Sequence, residues 1–238
     1  MPTPRALAFD VFGTVVDWRS SIVTESAYFL AAAGRSDIDA SAFADEWRAR
    51  YQPAMAAVTA GRRPFVILDV LHREMLEAVL ASYGIDARTI DPSLLADWTG
   101  AWHRLDPWPD AVEGLTRLKT RFPIVTLSNG NIALMLGVAR RGGLPWDAIL
   151  GAEVSRVYKP DPQAYAATAA YLALPPHDVC LVAAHHSDLA AARRSGLLTA
   201  YIDRPMEYGG APAPDRDRRE AWEWQANSLT ELATQLGC

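Results

Sequence analysis

Residues 6–14 of the chain read ALAFDVFGT. Four apolar residues are followed directly by an acid, Asp10, and a Gly-Thr pair comes three residues later. A short apolar run bounded by turn residues is typical of a buried parallel strand. We therefore expect a strand that delivers the Asp10 carboxylate to the carboxyl edge of a sheet, which is a nucleophile's position. Taken alone, Asp10 could equally cap the next element.

Further apolar runs occur at residues 124–127, 148–151, 179–183 and 199–202. Segments of helical composition separate some of them, at 133–141 and 162–172, and a last helix is expected at 229–236. This alternation predicts an α/β fold with a doubly wound, Rossmann-like parallel sheet. The Pro-rich, charged stretch 209–219 is interpreted as a surface loop without chemistry.

More than 100 residues separate the first strand from the next clear one. Between them, helix-like patterns cover 22–33, 42–55, 64–83 and 93–104, and strand patterns are not evident. We interpret 19–105 as an inserted α-helical cap domain and 1–18 with 106–238 as the core domain. Open α/β sheets bind ligands at the carboxyl ends of their strands, so Asp10 is expected to lie beneath this cap.

The composition favours a globular protein with a small soluble substrate. Half of the 238 residues are hydrophobic and the formal charge is -5. The basic clusters are only pairs, so neither nucleic acid nor a membrane surface is an expected partner. No apolar run approaches the roughly 20 residues that a membrane helix needs. Two cysteines, Cys180 and Cys238, do not suit a disulfide framework, which favours a cytoplasmic location.

Three later motifs are TLSNGN at 126–131, KPDP at 159–162 and AAHHSD at 183–188. Each lies where a strand is expected to end or a helix to begin. Together with FDVFGT at 9–14, their order, content and spacing resemble the haloacid dehalogenase superfamily, across nearly the entire chain. That pattern consists of a nucleophilic Asp, a hydroxyl after the second strand, a Lys and a final Asp.

Within the superfamily the sequence is most similar to the L-2-haloacid dehalogenases. The matching residues are Asp10, Thr14, Trp47, Arg48, Ser128, Asn129, Gly130, Lys159, Tyr165 and Asp188. Segments 105–110 and 204–209 resemble the same subgroup, and neither is expected to add a catalytic residue. The resemblance implies a short 2-haloacid substrate, no cofactor and a possible homodimer.

The resemblance also implies a reaction and roles for its residues. Asp10 attacks the halogen-bearing carbon in line, and water then hydrolyses the resulting ester. Asp188, held by Lys159, positions or deprotonates that water. Arg48, joined by Asn129, accepts the halide, although Arg48 could also be a solvated helix residue.

The remaining implied roles concern the substrate carboxylate and the surrounding hydrogen bonds. Ser128 and the backbone N–H groups of Val11 and Phe12 hold the carboxylate. Thr14 and Tyr165 fix the network of Asp10 and Lys159, although Tyr165 could simply pack its ring. Aromatic residues that could wall the pocket, or belong to the core, are Phe12, Tyr51 and Trp102.

Two positions distinguish a dehalogenase from the superfamily's phosphatases. At position 12 the phosphatases carry a second Asp, which protonates the leaving alkoxide. This chain has Phe12 there, whose ring cannot donate a proton, but a halide leaves without one. Their last motif adds a carboxylate for Mg²⁺ where this chain has Ala184. We therefore expect no functional metal. A phosphatase with altered motifs, or a binding protein that has lost the chemistry, are the alternatives.

His185 and His186 depart from the subgroup's pattern, in which an Asn commonly stands at the position of His185. We expect neither to bind a metal. His185 could hold Asp188 or the carbonyl of the ester, and His186 is expected to be structural.

Overall fold

The computed structural model describes residues 3–238. Its strands are β1 (Ala6–Phe9), β2 (Val16–Asp17), β3 (Asp106–Pro107), β4 (Ile124–Thr126), β5 (Val179–Ala183), β6 (Leu198–Ile202) and β7 (Trp224–Ala226). Five of them form one sheet in the order β4-β1-β5-β6-β7, with every pairing parallel. The predicted fold class is confirmed. Since β1 lies inside the sheet and the chain crosses from one side of it to the other, the strand order reverses there.

The helices are α1 (Trp18–Ala32), α2 (Ala40–Ala49), α3 (Tyr51–Thr59), α4 (Leu68–Ser82), α5 (Pro92–Thr99), α6 (Ala111–Lys119), α7 (Ile132–Gly142), α8 (Pro162–Tyr171), α9 (His186–Arg194) and α10 (Leu229–Gln235). Alternate residues of β1 enter different cores: Leu7 and Phe9 pack with residues of α6, α7 and α10, whereas Ala8 packs with residues of α8 and α9. Helices therefore cover both faces of the sheet, as a doubly wound fold requires.

Helices α1 to α5 all lie between β2 and β3. These two short strands pair antiparallel, with Val16 opposite Pro107, so both ends of the helical segment leave the core at one place. Asp17 caps α1 by accepting a hydrogen bond from the amide of Ser20 at 3.0 Å. The interior of this segment is aromatic: the ring of Phe43 stacks on Trp98 with 5.2 Å between centroids.

Several predicted helix bounds change in this segment. The single helix expected at 42–55 is two helices that meet at Arg50. Pro53 explains the break, because proline has no N–H to donate to the carbonyl of Ala49 and its ring clashes with that group. The helix expected at 64–83 begins only at Leu68, and the one expected at 93–104 is α5 followed by a 3₁₀ turn, Gly100–Arg104.

The prediction of a strand at 148–151 is wrong. Only one β-bridge forms there, between Val125 and Ala148. Two residues later, the amide of Leu150 donates to the hydroxyl of Thr126 at 2.8 Å, so a side chain takes the place of the ladder. The short strand β7 was not predicted. No helix within residues 3–238 is long and apolar enough to cross a lipid bilayer.

Candidate active site

Asp10 lies at the first turn after β1, at the carboxyl edge of the sheet. Its amide donates to the carbonyl of Val182 on β5 at 3.1 Å, which fixes the backbone against the neighbouring strand. The turn then closes when the carbonyl of Val11 accepts from the amide of Val15 at 2.9 Å. Gly13 has a φ of +81°, and a Cβ there would collide with the carboxylate of Glu207. The glycine therefore lets Glu207 approach the turn.

Lys159 lies between two carboxylates. Its Nζ is 2.9 Å from Oδ1 of Asp10 and 2.5 Å from Oδ2 of Asp188. Burial opposes ionisation of Asp10, but the charges of Lys159 and His185 outweigh it and hold the Asp10 pKa well below its ordinary value. Burial likewise opposes the charge on Lys159, but Asp10 and Asp188 raise its pKa. The result is an ionised carboxylate beside an ammonium group at neutral pH.

Tyr165 completes this side of the network. Its hydroxyl donates to Oδ1 of Asp188 at 2.6 Å, and its ring is fully buried. Burial, and then the charge of Asp188, raise the pKa of Tyr165. The phenol therefore stays protonated as a donor, and both oxygens of Asp188 are held.

His185 contacts the other oxygen of Asp10. Its Nδ1 is 3.1 Å from Oδ2 of Asp10, and its Nε2 is 3.0 Å from Oε1 of Glu207. Burial opposes the charged imidazolium, but Glu207 and Asp10 raise the pKa of His185 well above its ordinary value. His186 lies apart: it accepts a hydrogen bond from the indole of Trp222 at 3.1 Å.

The hydroxyl of Thr14 links Asp10 to the motif at 183–188. It donates to Oδ2 of Asp10 at 2.7 Å and accepts from the amide of Ala184 at 2.9 Å. The carbonyl of Thr14 accepts from Nε of Arg204 at 3.0 Å, and Arg204 also forms a two-pronged ion pair with Asp110. The segments 105–110 and 204–209 thus meet and support the loop that follows Asp10.

Arg48 extends from α2 into a cage of aromatic rings. Its Cζ is 4.1 Å from the ring centre of Tyr51, 5.0 Å from Trp18, 5.8 Å from Phe12 and 6.0 Å from Trp102. Such stacking stabilises a guanidinium without neutralising it. Its Nη1 is buried and makes no hydrogen bond within residues 3–238. The cage therefore holds a cation with a free donor.

A cavity of about 390 Å³ opens over Asp10. Its lining comprises Asp10, Phe12, Tyr51, Gln52, Asn129, Lys159, Pro160, His185, Ser187, Asp188, Pro214, Asp215 and Arg218. A second cavity of about 510 Å³ shares Tyr51 and His185 with it and reaches Arg48. The stretch 209–219, interpreted from the sequence as a surface loop without chemistry, lines both cavities. Asp215 ties it to α9 by accepting from the amide and hydroxyl of Ser187, each at 2.7 Å.

The residues expected to bind the substrate do not all face the main cavity. Asn129 lines the main cavity, and its Oδ1 accepts from the amide of Lys159 at 2.7 Å, which leaves its amide nitrogen for another partner. Ser128 adjoins a much smaller void beside Asn129 and Lys159, and its hydroxyl accepts from the amide of Gly130 at 3.0 Å. The side chain of Val11 is fully buried, so only its backbone can reach a ligand.

The donor set does not fit a divalent cation. Mg²⁺ prefers several oxygen ligands in octahedral geometry, whereas the position between Asp10 and Asp188 is filled by the Lys159 ammonium group. Ala184 offers no side-chain oxygen. Within residues 3–238 no group of three His, Cys, Asp or Glu residues is arranged to hold a metal.

The sequence profile of the haloacid dehalogenase-like hydrolases matches residues 4–196. The chain belongs to this family. It is 31% identical to (S)-2-haloacid dehalogenase 1 of Pseudomonas sp. (strain CBS-3), over 98% of this chain and 96% of the relative. It is 30% identical to (S)-2-haloacid dehalogenase 4A of Burkholderia cepacia, over 96% and 93% of the two chains. The resemblance drawn from the motifs is thereby confirmed.

Solved structures of the same family agree over the whole chain. The defluorinating L-2-haloacid dehalogenase Rha0230 superposes with a TM-score of 0.96 at 50% identity, covering 99% of this chain and 96% of that one. The L-2-haloacid dehalogenase PA0810 gives a TM-score of 0.92 at 46% identity, covering 98% of each chain.

Sequence reasoning missed three residues of this haloacid dehalogenase-like site: Glu207, Trp18 and Asp215. Glu207 is the only acid in the segment 204–209, and that was the one signal available. Trp18 joins it by donating from the indole to Oε1 of Glu207 at 3.1 Å.

Proposed function

We propose that this chain hydrolyses the carbon–halogen bond of short (S)-2-haloalkanoic acids, releasing halide and an (R)-2-hydroxy acid. The relatives described above are named for this activity. The observation that carries the proposal is the pairing of an ionised, buried Asp10 with Phe12, since a phenyl ring cannot protonate an alkoxide and a halide needs no proton.

The first step is attack by the Asp10 carboxylate on the halogen-bearing carbon. A fixed carboxylate replaces dilute hydroxide, which is an advantage of orientation as well as of covalent chemistry. Lys159 keeps Asp10 ionised while it is buried. Thr14 holds the other carboxylate oxygen, so one oxygen is presented to the substrate.

Departure of the halide produces an anion in a poorly hydrated pocket. The guanidinium of Arg48, with its free Nη1, is the cation suited to receive it. The amide nitrogen of Asn129 is a second donor at the cavity wall. Nη1 of Arg48 is buried, and burial from solvent strengthens this electrostatic interaction.

The second step is hydrolysis of the ester on Asp10. Asp188 is the base for water, because it lines the cavity and its two oxygens are oriented by Lys159 and Tyr165. The carboxylate of the substrate lies against Ser128 and the N–H groups of Val11 and Phe12. Residues 19–105 act as a cap domain over a core domain formed by 1–18 and 106–238.

We also place the protein in the cytoplasm, where two free cysteines would stay reduced. We propose a homodimer as its assembly, which sedimentation would measure.

The experiment is a halide-release assay with chloroacetate and (S)-2-chloropropionate. We expect release by the wild-type protein and none above background by Asp10→Asn, which keeps the shape of the side chain but removes the nucleophile. Equal release by the two proteins would rule the proposal out. Fluoroacetate belongs in the same screen. Mg²⁺-dependent hydrolysis of p-nitrophenyl phosphate without halide release would instead favour a phosphatase.

A further inference from the structure

The buried Glu207 and the half-buried His185 form a pair that the two steps above leave without a role. Glu207 is 2% exposed, and its side-chain partners are Nε2 of His185, 3.0 Å and 3.1 Å from its two oxygens, and the indole of Trp18. A buried carboxylate is costly unless it is paired and hydrogen-bonded. Gly13 makes room for it beside the nucleophile's turn. Such an arrangement calls for a functional explanation.

The contacts determine the protonation state of His185. Both of its ring nitrogens face carboxylates, Asp10 on one side and Glu207 on the other. An ionised carboxylate only accepts hydrogen bonds, and a neutral imidazole has only one N–H. When both carboxylates are ionised, two such contacts require an imidazolium. The other charged groups lining its two cavities are Lys159, Asp188 and Arg218 in one, Arg48 and Asp45 in the other, and Asp215 in both.

The hydrogen bonds of Asp10 also distinguish its two oxygens. Oδ2 accepts from the Thr14 hydroxyl at 2.7 Å and faces Nδ1 of His185 at 3.1 Å. Within residues 3–238 Oδ1 accepts only from Lys159, at 2.9 Å. Oδ1 therefore keeps a lone pair for attack. After attack by Oδ1, Oδ2 becomes the carbonyl oxygen of the ester.

We propose, on the basis of the function proposed above, that His185 and Thr14 form the oxyanion site for hydrolysis of the Asp10 ester, and that Glu207 holds His185 in place. His185 would then be a catalytic residue and Glu207 a positioning residue. Donors fixed in advance at the position where charge develops stabilise a transition state more than flexible water does.

Hydrolysis of the Asp10 ester consumes one water molecule. Water bonds to Cγ of Asp10 and gives one proton to Asp188, while the carbonyl electron pair moves to Oδ2 between Thr14 and His185. The double bond then re-forms and the Cγ–Oδ1 bond breaks. Oδ1 leaves with the substrate carbon and takes the proton from Asp188. The new carboxyl group releases its remaining proton, which restores the Asp10 carboxylate.

Alkylation of Asp10 makes His185 more dependent on Glu207. It removes the negative charge of Asp10, so His185 keeps only Glu207 as its hydrogen-bonded acid, just as Lys159 keeps Asp188. One ion pair then flanks each oxygen of the ester. Glu207 thus keeps His185 charged in the state where its N–H is needed.

The test separates the two chemical steps in the full-length protein. His185→Asn keeps a donor but removes the charge, and Glu207→Gln removes the holding charge with nearly the same shape. After rapid mixing with (S)-2-chloropropionate, we expect a burst of about one equivalent of chloride from each variant. Ester hydrolysis should be slower by about 10²-fold. Mass spectrometry should detect the 2-propionate ester on the peptide that contains Asp10.

A pH series gives a readout that a merely structural role would not change. In Glu207→Gln, ester hydrolysis should accelerate as the pH falls from 8 to 5.5, because a histidine near its ordinary pKa of about 6.5 regains its proton there. The wild-type step should change little over that range. Glu223→Gln is the control, since Glu223 is a partly buried acid that bonds Thr199 and Arg193 away from the site.

Unchanged ester hydrolysis in both variants, or a loss confined to the alkylation step, would overturn the proposal while leaving the dehalogenase function intact. No halide from the wild-type protein would overturn both. If Glu207→Gln does not fold, as judged by circular dichroism, His185→Asn decides alone.

Discussion

Replacing Lys159 by Met tests the central electrostatic claim. The substitution keeps most of the side chain's volume but removes the ammonium group that contacts both Asp10 and Asp188. The three side chains are only 7%, 9% and 11% exposed, so water cannot replace the lost charge. Two carboxylates that face each other in such a site cannot both stay ionised, and the pKa of one of them rises.

The loss of stability follows from the burial. Removing one partner of a buried ion pair costs about 3–5 kcal/mol. For a chain of this size each kcal/mol lowers Tm by about 2–4 °C, so the fall should be about 6–20 °C. The matched control is Lys119→Met, whose ion pair with Asp147 has side chains 37% and 39% exposed. An exposed pair contributes only about 0–1 kcal/mol, so that variant should lose less than about 4 °C.

The pH dependence of Tm distinguishes a lowered carboxyl pKa from a raised one. In the wild type the lowered Asp10 pKa stabilises the fold above the ordinary Asp pKa of about 3.9, and this contribution disappears only as the pH falls through the lower folded value. The contribution of Asp10 to the wild-type Tm should therefore be constant between pH 5 and 7. In Lys159→Met a raised carboxyl pKa stabilises the fold at low pH and loses that effect as the pH rises. Acidification from pH 7 to 5 should raise the variant's Tm.

Two assays measure these effects: thermal unfolding followed by circular dichroism, and chloride release from (S)-2-chloropropionate as a function of pH. The acid limb of kcat/KM should move toward neutrality in Lys159→Met, since a larger fraction of Asp10 is then protonated. Superimposable acid limbs, together with a Tm that does not rise on acidification, would refute the reasoning that Lys159 keeps Asp10 ionised.

The remaining predictions concern two other contacts. Arg48→Lys should lower kcat for chloride release by about 10²-fold, because the ammonium group cannot reproduce the planar guanidinium in its aromatic cage. Arg50→Lys is the control. Equal kcat values for the two variants would contradict the proposed role of Arg48. Tyr165→Phe removes the hydroxyl that donates to Asp188 and should lower the free energy of unfolding by about 1.5–3 kcal/mol in urea. The exposed Tyr171→Phe should change it by less than about 0.5 kcal/mol, and a similar value for Tyr165→Phe would argue against that bond.

Much of the site was predictable because its residues follow strands. Asp10, Ser128 and His185 each come directly or closely after an apolar run, and the carboxyl ends of parallel strands share one edge of a sheet. Local sequence therefore predicts their proximity. Lys159 and Arg48 came from the family resemblance, since neither spacing nor composition indicates which of many cations enters a site.

Glu207 and Asp215 could not be predicted, because their positions depend on tertiary packing. Both lie after β6, in segments whose sequence favours loop, and their partners His185 and Ser187 are 22 and 28 residues away. The strand expected at 148–151 failed for a related reason: the Thr126 hydroxyl bonds both the amide and the carbonyl of Leu150. An apolar run indicates burial, but it does not determine which polar group completes its hydrogen bonds.

Phe12 takes the position of the phosphatases' second Asp and also packs beside the guanidinium of Arg48. Its ring packs edge-on against Tyr51 and Trp102 and lies 5.8 Å from Cζ of Arg48. The neighbouring acid Asp45 is engaged by Arg19 at 2.7 Å, and within residues 3–238 no carboxylate forms an ion pair with Arg48. An aspartate in place of Phe12 would bring a negative charge toward this guanidinium and weaken its attraction for a departing anion. The residue that excludes proton transfer therefore also keeps Arg48 free for its proposed role in accepting the halide.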